Sequence, residues 1–156
     1  MATKVRKSGT NPGVKVFVLA VLGVLAATAC GGETATTPTP LIVFTMAAQN
    51  GSGASGTGSV VRGADSFTVT IKLTRLAPNS SHVSHLHAGS CAAAGGIAFA
   101  LKQVVADSTG AVTVATTVPA GYVVPTSGWY VNVHHGPDFT EAQYAPSDSC
   151  GNLPSA

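Results

Sequence analysis

Beyond residue 40, apolar and polar positions alternate over short runs that turn residues separate, a pattern typical of antiparallel β-strands. The cleanest run spans 66–76, and one of its faces holds only large apolar side chains: Phe67, Val69, Ile71 and Leu73. The Gly-rich segment 51–58 is expected to be a loop or a mobile strand edge. The predicted strands are 41–47, 59–63, 66–76, 82–88, 97–104, 110–118 and 128–135. This count predicts an all-β fold, an antiparallel Greek-key sandwich or barrel of about seven to eight strands.

The first 29 residues have the order of a secretory signal peptide. An apolar run, 16–29, follows four basic residues and precedes Cys30. The run is shorter than the roughly 20 residues that a transmembrane helix needs, so a permanent spanning anchor is disfavoured. The stretch VLAATAC resembles a bacterial lipobox, which predicts a lipoprotein signal peptide over 1–29 and a lipid on Cys30. Cleavage by an ordinary signal peptidase, which would release a soluble protein, is the alternative.

The remaining chain divides into a tether and one domain. Residues 30–40 are small, polar and Pro-containing, as in a flexible tether, and 41–156 have the length of one β domain. All six Asp and Glu follow Cys30, whereas four of the eight Lys and Arg precede it, so the mature chain has a net charge near −2. A chain without a basic patch is not expected to bind nucleic acid. The expected location is the cell envelope, outside the cytoplasm, with the lipid anchor in the outer membrane or cell surface.

Histidines are confined to two short segments, HVSHLH and HH: His82, His85, His87, His134 and His135. His85 and His87 are two apart on a predicted strand, so they project from one face and Leu86 from the other. On the later strand, His134 lies opposite the valine face. If the apolar faces line the core, His85, His87 and His134 all point outward, where two neighbouring strands could bring them together. Neutral imidazoles bind copper and zinc well, so these three are predicted metal ligands. Surface histidines that bind no metal are the alternative.

The other polar residues near these segments receive different predictions. His135 has the parity of the core valines and is expected to be a packing or strand-end residue. His82 differs in parity from His85 and could reach the site only across a bulge. Asp138 could orient a ligand histidine or cap the turn that GPDF indicates, and the turn is favoured.

Cys91 and Cys150 are the cysteines of the predicted domain, 59 positions apart. An exported chain meets an oxidising compartment, in which a disulfide persists, so we predict that they pair. A bridge of this span contributes about 4 kcal/mol in the chain-entropy account. Two free thiols acting as soft metal ligands are the alternative.

These segments together resemble two families. HLHAGSC and the later SCGNL resemble the copper-ligand strand and the disulfide of bacterial copper/zinc superoxide dismutases. Residues 51–89 with GWYVNVHHGP resemble the CHRD (chordin-type) domain of secreted bacterial proteins. The resemblance covers about residues 41–151 and implies an antiparallel Greek-key architecture. By it, His85, His87 and His134 match copper ligands, and Cys91 and Cys150 match the intrasubunit disulfide.

The dismutase resemblance stops at three features. No histidine lies between Cys91 and Trp129, so the histidine that bridges copper and zinc is missing, together with the zinc-binding loop that contains it. The segment APSDSC holds no basic residue, so the arginine that guides superoxide in that family is missing too. A dismutase mechanism with a bridging imidazolate is therefore not carried over.

Three functions remain open at the level of sequence. The first is a lipid-anchored, extracytoplasmic β domain that binds one copper ion, or zinc, for metal handling. The second is an enzyme, a reduced copper superoxide dismutase. The third is a CHRD-type structural or interaction domain without a metal. No serine lies in a G-x-S-x-G context, so a nucleophile-elbow hydrolase is not indicated.

Overall fold

Ten β-strands build the part of the chain that the structure, a computed structural model, describes, which is residues 42–154. The predicted signal peptide (1–29), Cys30 and the tether to residue 40 lie outside these residues. No helix among the described residues has the length and apolarity to cross a membrane. The strands are β1 (Ile42–Ala48), β2 (Ser55–Arg62), β3 (Phe67–Thr74), β4 (Ser81–His82), β5 (Ser84–Gly89), β6 (Ala94–Ala100), β7 (Val104–Val105), β8 (Val112–Val118), β9 (Trp129–His134) and β10 (Ser147–Leu153), with one 3₁₀ turn at Ala142–Tyr144.

Eight of these strands form one curled antiparallel sheet in the order β6-β5-β9-β10-β1-β2-β3-β8. The order departs from the chain order, since β9 follows β8 in sequence but pairs with β5 and β10. Strands β4 and β7 form a separate two-stranded sheet. The prediction of an all-β, antiparallel Greek-key fold is confirmed.

The hydrophobic core lies on the face that strand alternation predicts. All four apolar side chains of β3 are 1% exposed, and the single tryptophan, Trp129, stacks on Phe67 with 5.6 Å between ring centroids. Leu86 of β5 and Val131 and Val133 of β9 are fully buried in the same core. Burying a large apolar side chain contributes about 1.5–3 kcal/mol, so this face fixes which side of β5 and β9 turns inward.

The Gly-rich segment differs from its prediction, because its second half belongs to β2, between β1 and β3. A Cβ on Gly56 would lie 2.0 Å from the Lys72 carbonyl oxygen, and one on Gly58 would lie 2.1 Å from the ring of Phe44. Glycine lets the neighbouring backbone and the aromatic ring approach this strand closely. The small residues that suggest a loop are therefore required by packing.

Strand boundaries also differ near the histidines. The predicted strand 82–88 is interrupted at Val83, and the predicted strand 97–104 is divided between β6 and β7. Strand β10 was not predicted, because SDSCGNL has few apolar residues and no clear alternation. It is nevertheless largely buried, since it lies between β9 and β1 near the centre of the sheet.

Candidate metal centre

Two adjacent strands bring the three predicted ligand histidines together. Strands β5 and β9 pair so that His87 lies opposite Tyr130 and His85 opposite Asn132. His134 lies two residues after Asn132 on β9. One nitrogen from each of His85, His87 and His134 can be chosen so that all three lie within 4.8 Å of one another. We call these three residues the histidine triad. Zinc and copper bind imidazole nitrogens at about 2.0–2.1 Å, so a modest closure of the rings would enclose an ion.

The triad lies on the sheet face opposite the core, as predicted, but it is covered rather than open to solvent. His85, His87 and His134 are 7%, 8% and 7% exposed. Tyr130 stacks on His87 with a centroid separation of 4.9 Å. Phe139 stacks on His85 at 5.4 Å and meets His134 edge-on at 4.7 Å. Alternation along a strand predicts the face but not what lies over it, which is why sequence alone suggested an open surface.

Backbone carbonyls determine which nitrogens of the triad are free. His87 Nδ1 lies 3.1 Å from the Gly95 carbonyl oxygen, and His134 Nδ1 lies 2.7 Å from that of Ala145. A carbonyl only accepts, so each Nδ1 donates its proton and leaves the Nε2 lone pair available. His87 Nε2 and His85 Nδ1 are buried without a hydrogen-bond partner. Two orphaned imidazole nitrogens in one buried cluster fit the requirements of a metal ion.

The third available nitrogen is held by an amide. Asn132 Nδ2 lies 3.2 Å from His134 Nε2, and Ser147 Oγ donates a hydrogen bond to Asn132 Oδ1. This bond fixes the amide so that its NH₂ group donates to His134. A metal ion at His134 Nε2 must therefore displace the Asn132 hydrogen bond.

Burial lowers the pKa of two triad residues, His85 and His134. The pKa of His85 is lowered to about 4, chiefly because burial disfavours the cation, and further because His134 and His87 lie beside it. Burial also lowers the pKa of His134, against smaller opposing effects of the Ala145 carbonyl and Asp148. Neutral imidazole is the form that binds metal, so these two ligands are ready at neutral pH without losing a proton.

We expect the metal-free protein to lose stability as the pH falls from 6.5 towards 4. An unfolded chain protonates His85 near its usual pKa of 6.5, whereas the folded chain does so only near 4, so the unfolded state binds more protons in this window. The pH dependence of the urea midpoint between pH 7 and 5 measures the loss, above the range in which most carboxylates titrate. His85→Gln should weaken the dependence, and exposed His135→Ala should preserve it. A midpoint that stays constant or rises on acidification would show this assignment to be wrong.

The remaining histidines do not join the triad. His82 is 2% exposed, and its Nε2 lies 2.6 Å from Ser80 Oγ while its Nδ1 lies 2.8 Å from the His134 carbonyl oxygen. It therefore supports the backbone of a triad residue rather than offering a ligand. His135 follows the end of β9, is 61% exposed and contacts Asp148 at 3.0 Å, which confirms the strand-end prediction.

Asp138 forms the predicted turn. Its Oδ1 accepts hydrogen bonds from the backbone N–H and the hydroxyl of Thr140, at 2.9 and 2.7 Å. These bonds, the one to the hydroxyl above all, lower the pKa of the carboxyl group. The turn encloses Phe139, so Asp138 acts on the site by fixing the residue that covers it.

Three side chains that contact the triad, those of Tyr130, Asn132 and Phe139, were not identified from the sequence as part of the site. Tyr130 and Asn132 share the strand face of His134, and Phe139 lies in the segment GPDF, for which the sequence indicates only a turn. No sequence pattern indicates that Phe139 reaches back over β5.

Cys91 and Cys150 form the predicted disulfide, with 5.9 Å between their Cα atoms. Cys150 lies opposite Asn132 on β10, and the Cys91 backbone N–H donates to Asn152 Oδ1 at 2.7 Å. The bridge therefore ties the segment after β5 to the strand beside β9. These cysteines are covalently paired, so they are not free thiol ligands.

Comparison with known proteins supports the fold. No protein-family model matches the chain, and its sequence matches no curated protein. Its structure is similar to the crystal structure of an SOD-like (superoxide dismutase-like) protein from Bacillus subtilis, with a TM-score of 0.62 and 14% sequence identity. The similarity covers 74% of this chain and 100% of that chain. The described residues therefore have an SOD-like fold, whereas identity at this level carries no conclusion about activity.

Proposed function

We propose that this domain binds one copper ion through His85 Nδ1, His87 Nε2 and His134 Nε2, with zinc as the alternative metal. The observation that carries the proposal is the pair of buried triad nitrogens without partners. A buried polar atom left unpaired costs about 1–3 kcal/mol, and a metal ion would remove that cost at both nitrogens. Carbonyl partners on the opposite ring nitrogens orient His87 and His134, as they do for metal-bound histidines generally.

We name copper rather than zinc because HLHAGSC resembles a copper-ligand strand. Three imidazoles suit both metals, so the donor set alone does not decide. We propose only that the domain binds and handles a metal ion. The histidine that would bridge to a second metal and the arginine that would guide superoxide have no counterparts between Cys91 and Trp129 or in APSDSC.

We further propose that the domain works at the cell envelope, outside the cytoplasm, with a lipid on Cys30 as its membrane anchor. The basic segment, the short apolar run and VLAATAC before Cys30 support this setting. The resemblance of residues 51–89 to CHRD domains of secreted proteins agrees with it. The Cys91–Cys150 bridge adds support, because disulfides persist in oxidising compartments.

Isothermal titration of the metal-free domain with copper and with zinc tests the binding proposal. We expect one ion per chain, with copper bound more tightly at equal pH. No saturable binding of either metal would overturn the proposal. Saturable binding of zinc alone would retain the site and reject copper.

Fractionation of cells that express the full chain tests the anchor. We expect the protein in the membrane fraction, with the mass of a lipid added at Cys30, and Cys30→Ala should shift it to the soluble fraction. Recovery of the unmodified wild-type protein in the soluble fraction would instead support cleavage by an ordinary signal peptidase. The two tests are independent, because metal binding is measured on residues 41–156 alone.

A further inference from the structure

We infer that Phe139 makes the histidine triad selective for monovalent copper, Cu(I), over divalent ions. The inference rests on the proposed metal site and concerns a residue outside the ligand set. Three features carry it: the apolar cover over the triad, the number of ligands and the charges around them.

Phe139 contacts two rings of the triad. Its ring lies nearly parallel to that of His85, at an interplanar angle of 15°, and nearly perpendicular to that of His134, at 83°. The Asp138 and Thr140 hydrogen bonds enclose it in a turn. The ring is 47% exposed, so one side contacts the triad and the other faces solvent. A large apolar side chain in this position is a cover that excludes water from the rings beneath it.

The loop that carries Phe139 is anchored to the sheet. The Val83 N–H, between β4 and β5, donates to the Gly136 carbonyl oxygen at 2.9 Å, and the Gly136 N–H donates to the Tyr144 carbonyl oxygen at 3.3 Å. A Cβ on Gly136 would lie 2.2 Å from the ring of Tyr144, so the two ends of the loop pack closely. Phe139 therefore lies on a loop that hydrogen bonds and close packing hold in place.

The number of ligands that each ion requires distinguishes Cu(I) from zinc and Cu(II). Among the described residues, the triad is the one group of His, Cys, Asp and Glu side chains that can surround an ion, and it offers three nitrogens. Zinc in proteins is almost always four-coordinate, and Cu(II) prefers square-planar or tetragonal sites, so both require a further ligand such as water. Cu(I) has a filled d shell and is satisfied by three nitrogens. A cover that keeps water out therefore favours Cu(I).

The charge of the ion also favours Cu(I) over divalent ions at this site. The cost of burying an ion grows with the square of its charge, so a divalent ion needs an anionic partner more than a monovalent ion does. Asp148 is the acid whose charge reaches His134, but its carboxylate oxygens contact His82 and His135, at 3.4 and 3.0 Å. The triad is consequently a buried site of three nitrogens that includes no carboxylate ligand.

Competition titrations on wild type, Phe139→Ala and Phe139→Leu test the inference. Cu(I) affinity is measured without oxygen, against a chromophoric cuprous chelator with ascorbate as reductant, Cu(II) affinity against glycine, and zinc affinity by direct titration. We expect wild type to bind Cu(I) more tightly than Cu(II). Phe139→Ala should lower the ratio of the two affinities by about tenfold or more, the scale of one buried polar contact. Phe139→Leu should retain most of the ratio, because leucine keeps the site dry.

Val123→Ala is the control, since Val123 is 75% exposed and lies in the segment between β8 and β9, outside the triad. It should leave the ratio unchanged. An equal ratio in wild type and Phe139→Ala, or tighter binding of Cu(II) or zinc by wild type, would overturn the selectivity. Those outcomes would leave the triad as a metal site, whereas failure to bind any of the three ions would remove the proposed function itself.

Discussion

Replacing His87 by alanine should lower copper affinity by at least about 100-fold. His87 supplies one of three nitrogens, its Nε2 is buried without another partner, and loss of even an outer-shell residue costs 10–100-fold in metal sites. Titration of the metal-free variant with copper, at the pH used for wild type, measures the effect. Adding His85→Ala should leave no saturable binding.

His135→Ala is the control for this experiment, because it removes an imidazole next to His134 that lies outside the triad. Its affinity should match that of wild type. If His87→Ala and His135→Ala bind copper alike, the ion is not held by the triad. Since His87 also stacks on Tyr130, thermal unfolding of each variant should be recorded to confirm that the domain remains folded.

Removing the Cys91–Cys150 bridge should lower the free energy of unfolding by about 4 kcal/mol, because the bridge closes a loop of 59 residues in the unfolded chain. A typical domain has only about 5–15 kcal/mol in total. Denaturation in urea of Cys91→Ser, Cys150→Ser and the double variant measures the loss. Each single variant already opens the bridge, so all three should be destabilised by similar amounts.

That pattern separates a covalent effect from a packing effect. If the two single variants each cost little and their effects sum in the double variant, the cysteines act as independent packed side chains. Wild type treated with reductant should unfold at the midpoint of the double variant. An unchanged midpoint after complete reduction would contradict the expected role of the bridge.

The sequence predicts the face of the site better than its surroundings. Alternation places Leu86 inward, and His85 and His87 on the opposite face, because side chains on a strand must alternate. The same reasoning applies to His134. Burial of the triad was not predictable in this way, since it depends on Tyr130 and on Phe139, whose loop after β9 is positioned by tertiary contacts.

One physical cause explains why the predicted strand 59–63 begins earlier, at Ser55 in β2, and why β10 was not predicted. Strand β2 contains Gly56 and Gly58 because a neighbouring carbonyl and the Phe44 ring leave no room for a Cβ. Strand β10 is polar but is held by strands on both sides and by the disulfide. In both strands, packing against neighbouring strands outweighs the local preference of the sequence, so the pattern along the chain indicates neither the start of β2 nor β10.

The pairing of β5 with β9 determines when, during folding, the three histidines come together. The two strands that carry the triad are joined across a long stretch of sequence, and contacts of this kind form late in folding because closing the loop costs entropy. An unfolded chain offers the H-x-H pair but not the third nitrogen beside it. A chain that crosses a membrane unfolded would therefore arrive without a completed site and take its ion from the compartment in which it folds.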